Sequence, residues 1–221
     1  MTHPTPDRYK RSIVLLGDFN PKIFHPAWFA AENLIGKQEA ENAKVEVIHQ
    51  DVAIFTTEWI RIEVVRNRFL VESSQQLIDK PLRDLVYGVF SLLRHTPLRV
   101  MGINTTMEFR VPTEEKWHTA GHRVAPKDLW DGVLDSPGMM NVTMREPRRR
   151  DGKRGYIDVR FSPSGQVQPG LFIAVNDHYE CESKGDVGSS DEILAILSND
   201  WEKATARAEE IIYATLERAI A

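Results

Sequence analysis

The chain has 221 residues, 42% of them hydrophobic and 27% charged, enough apolar material for one sizeable core, and Lys+Arg 28 against Asp+Glu 32 leaves a net charge of -4 that argues against generic nucleic-acid affinity. No apolar run approaches the roughly 20 residues of a membrane span, and the first residues lack the apolar segment of a signal peptide. Cys181 is the only cysteine, which excludes an internal disulfide or a cysteine-based zinc site, so a cytoplasmic protein with a structural thiol is expected.

Residues 1–10 read as a flexible N-terminus, residues 11–96 as a first half and residues 97–221 as a second, together one unit. Apolar alternation over 13–19 predicts a strand, and Asn20-Pro21 separates it from an amphipathic helix over 26–35 that carries Trp28, Phe29 and Leu34. Short β-branched and aromatic runs at 45–48, 52–56, 59–65 and 69–72 predict an antiparallel meander. Val14 and Leu16 stand opposite Ile13 and Leu15, and Val65 interrupts the polar face of its strand, so this half of the sheet is expected to be covered on both sides. A helix then starts with Asp79 as cap and Pro81 in the first turn, carries Leu82, Leu85, Val86, Val89, Leu92 and Leu93 at helical spacing, and stops at Thr96-Pro97.

The second half repeats the order. A long strand over 98–111 precedes a short helix capped by Thr113 and running through Trp117, and a further turn or two is expected over 127–134. Strands follow over 139–145, 155–161 and 171–181, with turns at Asp151-Gly152 and at 162–165. One long helix, opened by a Ser189/Glu192 capping box, closes the chain with an apolar stripe through Ile193, Leu197, Trp201, Ala204, Ala208, Ile211, Ile212 and Leu216. At about 1.5 Å per residue it is near 45 Å long, so its distal end either crosses both halves or projects as an interface. The fold class is therefore α+β: antiparallel sheet with helices on one face, built as two β-α-β(3-4)-α halves. This order resembles the duplicated saddle of TATA-box-binding-protein-like folds, and also half of a helix-grip fold. Both resemblances are of topology alone and imply no function.

Among chemistry-bearing patterns, His118 and His122 in Trp117-His118-Thr119-Ala120-Gly121-His122 share a helix face, but Thr119 stands where a metalloprotease pattern needs a glutamate, so no metal site is expected. No cofactor is expected either, since nucleophile elbow, phosphate loop and dinucleotide fingerprint are all absent. The period-2 rule gathers Glu108, Arg110, Arg145, Asp158, Arg160, Asn176, His178 and Glu180 on one polar sheet face, with His178 and Glu180 as neighbours. A basic cluster, Arg145, Arg148, Arg149, Arg150, Lys153 and Arg154, surrounds Asp151-Gly152 and is expected at a projecting hairpin tip. The reading these features support is a non-catalytic binding or interaction protein within a larger assembly, with a protein partner or self-association. The alternatives are a ligand binder or enzyme of helix-grip type with His178, Glu180 and Arg160 at the polar end of a cavity, and a nucleic-acid binder using the basic hairpin.

Overall fold

The apolar alternation resolves into nine strands hydrogen-bonded in one antiparallel sheet, seen in a computed structural model that describes residues 3–181 and 190–221. The first half comprises β1 (Arg8–Gly17), α1 (Pro26–Ala31), α2 (Lys37–Glu41), β2 (Lys44–Ile48), β3 (Val52–Thr56), β4 (Arg61–Val65), β5 (Arg68–Ser73) and α3 (Asp79–Leu92). The second comprises β6 (Leu98–Arg110), α4 (Glu114–Val124), β7 (Val142–Glu146), β8 (Gly155–Pro163), β9 (Gly170–Glu180), α5 (Asp191–Asn199) and α6 (Trp201–Ile220). The sheet order β2-β3-β4-β5-β1-β6-β9-β8-β7 places the first strand of each half at the centre, where β1 and β6 pair, and its last strand beside it. This is a saddle order with one strand fewer in the second half.

The helices all lie against one face, because the core side chains of the strands share one phase of the alternation. Ile13 and Leu15 of β1, Phe69 and Val71 of β5 and Ile62 and Val64 of β4 pack with Leu82, Val86, Val89 and Phe90 of α3 and with α5. A second cluster joins Met107, Phe109, Ile157, Phe161, Ile173 and Val175 to Ala208, Ile212 and Leu216 of α6. The opposite face is left open by the chain. Leu16 is exposed there and Val14, Val65 and Leu70 are half-buried, so among the described residues the cover expected on this side does not come from the other half, which leaves a second subunit or another protein as its source.

Three boundaries differ from expectation for local reasons. The helix at Pro26 ends at Ala31, and Asn33 adopts a left-handed φ of 57° that turns the chain toward α2. Asp79 does not cap α3; it is the first helical residue, and its carboxylate instead accepts from Tyr9 at 2.9 Å and pairs with Arg11 at 2.8 Å. The C-terminal helix breaks at Asp200, after Asn199, two residues of poor helix propensity, so that α5 serves the first core and α6 runs on to the second. Its distal end does not project, since Ile212 and Leu216 are buried. Thr113 does cap α4, accepting from the Lys116 amide at 3.2 Å. The Ser189 cap and Glu182 lie outside the described residues. Residues before β1 are tied in as well: His3 stacks on Tyr213 at 4.3 Å, and the Arg110 amide donates to Asp7. Among the described residues no helix is long and apolar enough to cross a membrane.

Candidate functional site

The register of β6, β9, β8 and β7 brings the predicted polar face together. Asn104, Asn176 and Asp158 stand in one row with Arg145, and His178 is opposite Tyr156. Arg145 holds Asp158 through two bonds of 2.7 and 2.8 Å and lies over the Tyr156 ring at 3.6 Å, while Tyr156 stacks on His178 at 4.2 Å. Burial lowers the pKa of His178 against the raising influence of Glu180, so its ring is neutral at pH 7. No hydrogen bond joins His178 to Glu180 among the described residues, so the ring is positioned by stacking. Arg160 lies over Phe172 at 5.5 Å. Arg110 donates to the Gln168 carbonyl at 2.5 Å. Glu108, by contrast, is buried: it takes the Ser164 hydroxyl and faces Arg8 at 3.4 Å. These are cross-strand pairs of the kind that order a solvated sheet face, each worth little to stability.

The basic segment does not form a free tip. Gly155 has φ of 120°, and a Cβ there would lie 2.0 Å from the His178 carbonyl oxygen, so only glycine lets the 147–154 loop fold back tightly against β9. Arg149 then passes to the helix side of the sheet. Its side chain is 0% exposed and pairs with Asp177, itself 1% exposed. It also donates to Asp151 at 3.0 and 2.6 Å and to the His178 carbonyl at 3.1 Å, and lies over the Tyr179 ring at 3.9 Å. Arg207 of α6 reaches the same two carboxylates, Asp177 and Asp151. Burial works against the Arg149 charge, but the carboxylates outweigh it and raise its pKa. Lys153 pairs with Asp200 at 3.1 Å and Arg154 with Glu192 at 3.9 Å. Arg148 and Arg150 are exposed and lack an ion pair among the described residues, and Arg148 lines an open groove of about 530 Å³. The expectation of six presented cations is thus corrected: two carboxylates and the Tyr179 ring hold Arg149 inward against the cost of burial.

This network has a pH signature. Burial raises the Asp151 pKa, but Arg149, the Lys153 amide and Arg207 outweigh it and hold it below the usual carboxylate value. A depressed folded pKa contributes stability that is present above the unfolded value of about 4 and is lost as pH falls through the folded one. Urea midpoints measured from neutral to acid pH should therefore fall more steeply below about pH 4 in wild type than in Asp151→Asn. Parallel profiles would remove Asp151 from the network.

Sequence reading missed a second buried cluster. Arg11, fully buried, donates to Tyr9 at 2.6 Å, Thr105 at 2.9 Å and Glu209 at 2.7 Å besides its pair with Asp79. Burial raises the pKa of Asp79 despite Arg11, and that of Tyr9 likewise. The signal was present, since Arg11 and Asp177 both occupy the core phase of their strands. Cys181 is half-buried, and burial pushes its thiol up to about 12, which keeps it protonated.

Two further features lie around α4. His118 and His122 line a cavity of about 460 Å³, and among the described residues no group of three or more His, Cys, Asp or Glu is placed to hold a metal. Beyond it, the segment 129–144 exposes Leu129, Trp130, Val133, Leu134, Met140 and Met144, by 45% to 81%. A single 3-10 turn, Asp128–Trp130, forms in the region where a turn or two was expected. No protein-family model matches the chain, and comparison with curated proteins finds no significant match.

Proposed function

We propose that this chain is a non-catalytic interaction protein of the cytoplasm that works within a larger assembly, and that its partner covers segment 129–144. The observation that carries this reading is the concentration of six exposed large apolar side chains in that segment, when only four others are exposed across the rest of the described chain. Exposed apolar surface gathered in one place marks an interaction site, whereas scattered single residues do not. The segment leads into β7, the outermost strand of the sheet, whose outer backbone groups are open to an added strand. A partner that pairs with β7 and covers Met140, Met144 and Trp130 satisfies both features at once. The two halves, with their shared element order, are read as an internal duplication that supplies the saddle on which this edge is carried.

Nucleic-acid binding is the weaker reading, because Arg149 is buried and Lys153 and Arg154 face carboxylates. A Trp130→Ser/Leu134→Ser/Met140→Ser variant tests the proposal. Its thermal midpoint should match wild type, since exposed positions shift stability by less than about 0.5 kcal/mol, while its solution mass or its retention of native-cell proteins falls. A wild-type protein that is monomeric and retains the same proteins as the variant would overturn the reading.

A further inference from the structure

We propose that the cleft between α4 and the chain at 136–139 binds a small monocarboxylate with an apolar body. α4 is held against the second core by Ala120, which is buried, and by Trp117, whose indole N–H donates to the Gly170 carbonyl at 2.9 Å. That orientation turns the next stripe of the helix, His118, Gly121 and His122, toward the cleft. Leu171 and Pro163 from the ends of β9 and β8 also line it, and Pro137 and Met139 are across from the helix. The half-open cleft has a volume of about 460 Å³, within the range that small-molecule sites occupy.

The cleft is kept open by glycine. Gly121 lines it, and a Cβ there would meet nothing within 4 Å, so a larger side chain at this helix position would project into open space on the cleft side. The polar groups of the lining are Lys127, the exposed His118 and His122, and Ser136, and Lys127 is the one fixed charge among them. Lys127 sits half-buried at its edge, with His118 and His122 on the helix, and none of the three has an ion-pair partner among the described residues. No carboxylate lines the cleft; Asp128, Asp131 and Asp135 belong to the adjoining chain but are not among its walls. An amine without a counter-ion beside apolar walls favours a ligand that brings one negative charge and an apolar body. A single lysine supplies one positive charge, which one carboxylate balances and a phosphate dianion exceeds.

Octanoate and indole-3-acetate, with their primary amides as neutral counterparts, are suitable probes for titration calorimetry and saturation-transfer NMR on the full chain. In wild type the carboxylates should bind at least about tenfold more tightly than the amides, and Lys127→Gln should abolish that difference. Gly121→Leu, whose side chain fills the cleft, should weaken both carboxylates by at least about tenfold while retaining the wild-type circular dichroism and thermal midpoint. Three results would overturn the assignment: no binding of either carboxylate at millimolar concentration, equal binding of acid and amide, or undiminished binding in Gly121→Leu. The last would place the ligand outside this cleft and leave the interaction reading intact.

Discussion

Replacing Arg149 by alanine is expected to destabilise the protein by about 3–5 kcal/mol. The guanidinium is wholly buried and is the closest cation to Asp177, a carboxylate that is itself almost fully buried on the helix side of β9. Taking an ion pair out of water costs several kcal/mol per charge and is offset only while both partners and their hydrogen bonds remain. Removing Arg149 leaves Asp177 with Arg207 alone and empties the volume over the Tyr179 ring. Arg207 is partly exposed and keeps one contact with each carboxylate, which sets the effect toward the lower end of that range. Charge reversal at the neighbouring Arg148 and Arg150 together is expected to change stability by less than about 0.5 kcal/mol, because both are exposed. Urea unfolding of the two variants separates the cases. Equal midpoints would show that the Arg149 network contributes nothing to the fold. A double-mutant cycle with Asp177→Asn should show strong coupling, since the two residues share one site.

Trp201→Ala is expected to cost a further large amount, about 3–5 kcal/mol, lowering the thermal midpoint by roughly 10 °C in a chain of this size. Trp201 opens α6 immediately after the break at Asp200 and is 1% exposed, packed into the core built by α3, α5 and β1. Its removal leaves a cavity at the point where both C-terminal helices meet the sheet, a site fixed from several sides and therefore slow to collapse. Scanning calorimetry that finds the variant as stable as wild type would refute this placement. Ile212, a candidate for an intermolecular contact when the helix is read as a single rod, is 0% exposed in the second core. A charged residue there acts on folding.

The strands were the most legible part of the chain. Residues 52–56 coincide with β3, and the alternation of Ile173 with Val175 marks the side of the second half that meets the helices. That follows because a strand's alternation is a local property, two residues per repeat, and each apolar run is long enough to show it. The order of elements likewise led to two halves and to helices on one face. The polar face was legible too, since registers such as Asn104 with Asn176 and Asp158 with Arg145 bring its members into rows.

Composition and periodicity thus determined the α+β class, the phase of the long strands of the second half, the Thr113 cap and, among the described residues, the lack of a membrane-crossing helix. Tertiary structure alone decided where charged side chains end up. Arg149 reads as one of six cations in a polar loop, and only the approach of Asp177 from β9 and the tight turn at Gly155 draw it beneath the sheet. Asp79 reads as a helix cap, and only the neighbouring Arg11 and Tyr9 of β1 make it a partner in a buried cluster. The cleft beside α4 has the same origin, because His118 and Lys127 reveal nothing of a cavity until Leu171 and Met139 come to line the same space. Long charged side chains reach several ångströms in any direction, so local pattern gives at most the strand face they start from, and their partners depend on which elements fold next to them.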